Sequence, residues 1–462
     1  MTMAMLQSRT DRRILNFSII WLGQLVSMLG SGLTSFSIGI WVYQQTESVT
    51  QFSLIILSTS LPGLLIAPLA GTLVDRWDRR QLMILSDAGS ALCTLVIAGL
   101  FWAGNLRLWT VCLVLAVSAI FNVFHSLSYT TITTMLIPQQ HLARANGIIQ
   151  AGPATAQILS PLLAGLLLTI IQIQYVLLID FATFLCAVAA LLLARVPRYE
   201  IGDEDHPERK SLLRDATYGW KFITARPGLL GLLILFATLN FALGLSLVLL
   251  TPLLLSFTTI KMVGITTSLG SVGLLMGSLL MGVWGGPKRR IYGILGFGSL
   301  IGLCFMLAGS RPSVVLVALA NFGILFLMPL VNSCSQAIWQ SKTPLAVQGR
   351  VFAVRMIFAL STAPLAYAIA GPLTDKVFEP LLATDGPFAE SIGQMIGVGA
   401  GRGIGLLFVV TGMITVLVTG IGFLMPRLRS VEDDLPDVAN EVSPAYETLA
   451  KDQGKTGSPS AG

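Results

Sequence analysis

The chain has 462 residues, 54% hydrophobic and 11% charged, with a formal net charge of +6 and a mean hydropathy of +0.78. Soluble domains carry about 25% charged residues, so this composition excludes an ordinary soluble enzyme, and no catalytic residue is assigned. The basic residues form short clusters between apolar runs and no continuous stripe, so no nucleic-acid partner is expected. Cys93, Cys112, Cys186, Cys304 and Cys334 lie inside apolar stretches without Cys-x-x-Cys spacing, so neither a disulfide framework nor a zinc site is expected.

Twelve apolar stretches follow one another: 17–43, 51–74, 82–103, 108–137, 142–169, 175–194, 228–256, 263–285, 291–309, 312–338, 345–375 and 403–425. Each is long enough to cross a ~30 Å hydrocarbon core as a helix rising ~1.5 Å per residue. Helix is required because lipid offers no partner to free backbone groups. The expected fold is an all-α integral membrane protein with twelve transmembrane helices in two pseudo-symmetric six-helix bundles. Arg9, Arg12 and Arg13 precede the first run, but that run is 27 residues long and has no evident small-residue cleavage site. It reads as a retained helix rather than a signal peptide.

The polar segment 195–227 divides the chain into a first bundle over 1–194 and a second over 228–425. A cytoplasmic linker (195–227) and a polar, disordered tail (426–462) complete the expected organisation. Gly71 and Gly277, Pro138 and Pro344, Arg144 and Arg350, and Gly165 and Gly371 are each separated by 206 positions. A repeat of six helices keeps its orientation, so the halves should relate by an axis along the membrane normal. With the N-terminus inside, 24 of the 29 Lys and Arg fall on the cytoplasmic side, against Arg107, Lys261, Arg311, Lys376 and Arg402 outside. That asymmetry puts both termini in the cytoplasm of a multi-pass inner-membrane protein.

After the second stretch the chain reads Gly71-Thr-Leu-Val-Asp75-Arg76-Trp-Asp78-Arg79-Arg80. Any membrane protein could place such charges at a helix end, but the Gly-x-x-x-Asp-Arg-x-x-Arg-Arg spacing is more particular. It resembles the loop signature of the major facilitator superfamily, also a six-plus-six architecture. The resemblance implies a cytoplasmic latch between the halves in the outward-facing state, built from Gly71, Asp75, Arg76, Arg79 and Arg80. Asp78 stands where that family usually has glycine. The second copy keeps Gly277 and the triplet Lys288-Arg289-Arg290 but lacks the acid.

The fifth stretch carries Gly152-Pro153 and Ser160-Pro161-Leu-Leu-Ala164-Gly165. Proline removes a backbone donor and glycine a side chain, so this helix can bend and pack tightly. The pattern resembles the antiporter motif of facilitator-family exporters, with Ser160 and Ala164 replacing two glycines. With Ala145-Asn146-Gly147 and Ile179-Asp180-Phe-Ala-Thr-Phe, the first 200 residues or so look like the macrolide-efflux and enterobactin-exporter branch of that family.

Polar residues inside membrane helices are costly and usually face a cavity or a partner. Gln24, Ser27, Ser31 and Thr34 share one face of the first stretch, and Asn122, His125, Ser126 and Tyr129 one face of the fourth. Gln150, Gln157, Asn240, Asn321, Asn332 and Gln336 extend the set. By the family resemblance the first, fourth, seventh and tenth helices line a central cavity, and interhelical hydrogen bonding is the competing role for each residue. Two residues are candidate proton carriers. His125 can titrate near neutrality, and Asp180 reads as the one acid well inside an apolar stretch. Each is also able to serve only as a hydrogen-bonding partner, and the arginine that many proton-coupled drug exporters carry in the fourth helix is absent.

No Gly-x-x-x-x-Gly-Lys-Ser/Thr occurs, so the chain is not expected to use ATP. His125, His141 and His206 are too dispersed for a metal cluster, and no cofactor is expected. The sequence therefore reads as a secondary active exporter, working as a monomer in the lipid bilayer on an amphipathic small-molecule substrate (drug, siderophore or peptide-like metabolite), with protons as coupling partner. An importer or lipid flippase of the same fold, or a non-transporting membrane scaffold or sensor, remain the alternatives.

Overall fold

A computed structural model of the chain describes residues 2–74, 77–136, 142–194 and 212–434. Its helices are α1 (Thr2–Thr46), α2 (Val49–Val74), α3 (Arg79–Trp102), α4 (Leu108–Leu136), α5 (Leu142–Leu167) and α6 (Ile173–Leu193) in the first half. After α7 (Leu212–Thr224) come α8 (Pro227–Leu255), α9 (Ile260–Trp284), α10 (Arg290–Ser310), α11 (Val314–Lys342), α12 (Leu345–Leu373) and α15 (Arg402–Leu424). Between α12 and α15 lie a π-helical turn (Thr374–Phe378), α13 (Glu379–Leu381) and α14 (Gly393–Ile396), and α16 (Pro426–Arg429) and α17 (Val431–Asp434) follow. Among the described residues, eleven helices are long and apolar enough to cross a membrane. The twelfth, α5, is 26 residues long but carries Gln150, Thr155, Gln157 and Ser160.

Sequence signals set several helix ends. Asp78 caps α3, its Oδ1 accepting the N–H groups of Arg80 and Gln81 at 2.9 and 3.0 Å. This is the residue that stands in place of the family's glycine, and a side-chain oxygen there satisfies donors the helix leaves free. Pro227 opens α8, where its missing N–H costs nothing. Gly285 closes α9 in the left-handed conformation, φ 74°.

The two halves repeat one packing scheme. In the first, α1 packs on α5 and α6, α4 on α2 and α3, and α3 on α6. In the second, α8 packs on α12 and α15, α11 on α9 and α10, and α10 on α15. Across the divide, α5 meets α9 and α12 meets α2, so the contact between halves is itself symmetric. Two features depart from the sequence reading. The linker contains the amphipathic helix α7, which packs on α12. The segment 426–434, expected to be disordered with the rest of the tail, is helical. Glu432 holds it there, capping α10 by accepting the N–H groups of Arg290 and Ile291 at 3.2 and 3.0 Å, while Lys342 donates to its carbonyl.

For orientation, the bundle end carrying α7 and residues 285–289 is called the linker end, and that carrying the 374–401 segment the far end.

Candidate functional site

The first half holds a cavity of about 480 Å³ between α1, α2, α3, α4 and α6. Its wall includes Ser31, Thr34, Thr59, Ser60, Thr94, Asn122, Ser126 and Asp180. Asp180, 1% exposed on α6, lies 3.5 Å from the Ser31 hydroxyl of α1 and 3.3 Å from the Thr94 hydroxyl of α3. These hydroxyls donate to a carboxylate that lipid-facing apolar residues could not solvate.

A second acid sits deeper toward the linker end. Asp87 of α3, 3% exposed, has one carboxylate oxygen 2.7 Å from Nδ1 of His125 on α4. The other accepts a hydrogen bond from the Gln24 amide of α1 at 3.2 Å. Tyr129 stacks on His125, with ring centroids 6.0 Å apart. Asp180 is therefore not the one acid inside an apolar stretch. Asp87 was missed because it lies near the start of the 82–103 run, where an acid passes for a helix-end charge; the polar spacing Asp87 to Thr94 was the available signal. The seven-residue steps Gln24 to Ser31 on α1 and Asp87 to Thr94 on α3 place the two acids in layers about 10 Å apart along the bundle. Apolar clusters flank this polar belt: Phe17, Ile20, Met83 and Leu191 toward the linker end, and Ile38, Ile55, Ile97, Val111 and Leu177 toward the far end.

The other sequence candidates fall in different places. Of the loop motif, Asp75 and Arg76 lie outside the described residues. Gly71 is near the end of α2, and Arg79 and Arg80 open α3. Arg80 donates to the carbonyls of Leu191 and Leu192 on α6, within its own half, at 3.0 and 3.1 Å. Ser27 and Tyr129 are buried, while Gln150 and Gln157 are exposed on α5. Asn122 donates to the Ser118 carbonyl and faces the cavity. In the second half Asn240 is half-buried and Asn332 exposed. Gln336 accepts a hydrogen bond from Arg355 of α12. Asn321 is buried and donates to the Thr266 carbonyl of α9 at 3.1 Å, an interhelical contact.

The α5 motif packs both within its own half and against the other. Gly152 and Ser160 face α1, Ser160 donating to the Leu29 carbonyl at 3.1 Å. Pro153 and Pro161 lie within the helix. A Cβ on Gly264 of α9 would sit 2.3 Å from the Pro161 carbonyl oxygen, and Gly264 packs directly against Gly165. At the equivalent crossing a Cβ on Gly371 of α12 would lie 2.3 Å from Thr50 Cα of α2. The pair Gly165 and Gly371, 206 positions apart, thus marks two places where the halves touch backbone to backbone.

Both crossings are at the far end, and an acid that the sequence reading passed over fastens one of them. The Asp375 carboxylate, just beyond α12, accepts the Ser48 hydroxyl at 2.7 Å and the N–H groups of Val49 and Thr50 at 3.1 and 2.9 Å. It caps the N-terminus of α2 from the opposite half, where the helix dipole favours negative charge. Within the second half Glu379 likewise caps α15, accepting from Gly401 and Ile404. The halves are closed at the far end in this conformation. Among the described residues, no group of three His, Cys, Asp or Glu side chains could hold a metal ion.

Comparison with known proteins agrees with this architecture. Macrolide efflux protein A of Streptococcus pyogenes is 26% identical over 371 residues, covering 79% of this chain and 90% of that protein. Multidrug efflux pump Tap of Mycolicibacterium fortuitum is 24% identical over 375 residues, covering 77% and 88%. A bacterial homologue of the human lysosomal transporter Spinster superposes with a TM-score of 0.67 at 14% identity, covering 92% of this chain and 98% of that one. The family model of the Major Facilitator Superfamily matches residues 20–368. The chain belongs to the Major Facilitator Superfamily and is a multi-pass membrane transporter.

Proposed function

We propose that the chain exports amphipathic, drug-like small molecules across the plasma membrane, driven by a proton gradient. The observation that carries export is the similarity over most of the chain to proteins named for macrolide and multidrug efflux. The basic-residue asymmetry supports placing the linker end and both termini in the cytoplasm. On that orientation, contact between the halves at the far end suits an inward-facing state, ready to load from inside. Substrate would bind between the halves near the midplane, and rocking of the halves would alternate access.

Asp180 and His125 are the proposed proton carriers, and Asp75 with Arg76, Arg79 and Arg80 the proposed cytoplasmic latch of the opposite state. Concentrative export needs an energy source, and an intramembrane acid without a lysine or arginine partner suits proton binding. The test is a proteoliposome assay with a macrolide and an imposed pH gradient. Parent protein should accumulate the macrolide only when the gradient is present, and Asp180→Asn should lose most of that accumulation. Equal accumulation with and without the gradient would remove the proton from the reading. Single-cysteine labelling of intact cells checks orientation: residues near 260 and 390 should react from outside, and labelling near 210 would reverse the topology.

A further inference from the structure

We propose that Asp87 and His125 together form a second proton-holding station, set in series with Asp180 along the first half. The inference rests on the reading that protons drive transport, and it adds a residue and a route to it. Three observations carry it. The Asp87 carboxylate is buried inside a membrane helix and, among the described residues, its polar partners are His125 at 2.7 Å and the Gln24 amide at 3.2 Å. The hydroxyl- and amide-lined cavity lies on the way from this pair to Asp180, touching Thr94 two turns beyond Asp87 and both Asn122 and Ser126 beside His125. Finally, α1 and α3 each contact both stations, through Gln24 and Ser31 and through Asp87 and Thr94, so a shift of either helix changes the surroundings of both acids.

The proton balance is simple. With Asp87 ionised and His125 neutral the pair carries one negative charge; taking up one proton brings it to zero, whether the proton rests on the carboxylate or the imidazole. A proton given up by the Asp180 carboxyl would pass to water in the cavity and then to the pair, leaving Asp180 ionised and the pair neutral. The net charge of the first half is unchanged by this internal step, and a buried unpaired carboxylate is replaced by another of the same charge. Release from the pair toward the linker end completes the passage. Besides the pair, the titratable side chains of α3, α4 and α6 are Arg79, Arg80, Cys93, Cys112, Tyr129, Tyr175, Asp180 and Cys186; of these Tyr129 stacks on His125, while α1 offers the pair the uncharged Gln24 and Ser27 beside it. Arg80, at the start of α3, is taken up by carbonyls of α6.

The experiment uses the full chain in proteoliposomes with a macrolide as probe. Asp87→Asn should lower pH-driven accumulation at least 10-fold and flatten the pH profile of macrolide counterflow, while Asp87→Glu should restore accumulation with a displaced profile. His125→Gln should reproduce the loss, which keeps the proposal testable if Asp87→Asn does not assemble. Because the stations act in series, the double variant Asp87→Asn with Asp180→Asn should be no worse than the poorer single variant; losses that multiply would overturn the series. Parent-like accumulation and pH profile in both Asp87→Asn and His125→Gln would overturn the second station while leaving the proton reading intact. No pH-driven accumulation in the parent itself would instead overturn the proton reading, and this proposal with it.

Discussion

The two halves share one helix-packing scheme yet have opposite interiors. The second is filled by one continuous apolar core running from Phe222 and Leu229 through Phe305 and Trp339 to Phe408. The first breaks into separate apolar clusters with a polar belt and a cavity between them. The repeat makes the contrast concrete at the level of single helices. Val331 of α11, buried in the second core, stands 206 positions after His125 of α4. Neither α10 nor α15, the counterparts of α3 and α6, contains an acid. A duplicated fold does not need duplicated chemistry. One half buries acids beside a cavity, and the other is packed around a continuous apolar core.

The largest expected effect comes from disabling the contact through which the halves work together. Gly371→Leu forces a branched side chain toward the α2 backbone, where even a Cβ would stand 2.3 Å from Thr50 Cα. Neither backbone can yield locally, so the far end should be held apart. Macrolide transport should fall below a tenth of parent, and a cysteine placed in the far-end crossing should become reactive to an external thiol reagent. Full transport with an unreactive cysteine would show that the crossing is not needed.

The next pair of substitutions separates stability from function by half. Phe305, fully buried in the second core, packs on Phe408 with centroids 6.1 Å apart. Phe305→Ala should cost about 3–5 kcal/mol in detergent unfolding, the usual size of a large core truncation, and leave the pH profile of counterflow in its parental place. Asp180→Leu should do the reverse. The cost of burying a carboxylate with no ion-pair partner is removed, and the Ser31 and Thr94 hydroxyls can turn to the i−4 carbonyls of their own helices, so its unfolding midpoint should hold while pH-driven accumulation is lost. A collapse of stability in Asp180→Leu would make that acid a structural element of the first half.

Much of this contrast was legible in the residues. Runs of apolar sequence specify the helices because lipid permits no other backbone solution, and the 206-residue phase anticipated the matched crossings at Gly165 and Gly371. Isolated polar residues were harder to place. Helical spacing gives the face on which Asn321 or Gln24 lies, but not which neighbour that face meets. Asn321 thus read as a cavity candidate, and its contact with the Thr266 carbonyl could not be foreseen. Asp375 was invisible for a related reason. Its role depends on lying beside the start of α2, more than 300 positions earlier in the chain, and no local pattern carries that information.

Asp375 gives an intermediate effect and a way to bias the two states. Asp375→Ala removes acceptors for two backbone donors and the Ser48 hydroxyl. A lost helix cap costs about 0.5–2 kcal/mol, here only in the state closed at the far end, which converts to roughly a 2- to 30-fold shift toward opening. Spin-label distances across the far end should show that shift, and Asp375→Asn should recover part of it because its amide oxygen can still accept. An unchanged distance distribution in Asp375→Ala would mean that the glycine crossings alone hold the far end shut.

The smallest effect tests the polar exception in the apolar half. Asn321 donates to the Thr266 carbonyl where Gly270 lets it lie flat against α9. Its counterpart 206 positions earlier is Leu115, which lines the first-half cavity instead of bridging to α2. The carbonyl that Asn321 meets already belongs to a helix ladder, so removing the amide strands no backbone group. Hydrogen bonds between membrane helices contribute about 0.6 kcal/mol on average. Asn321→Ala should therefore lower the unfolding free energy by about that amount and leave transport and its pH profile at parental values. A loss of transport greater than 5-fold with stability intact would place Asn321 among the residues that meet substrate, and the second half would then hold polar chemistry of its own.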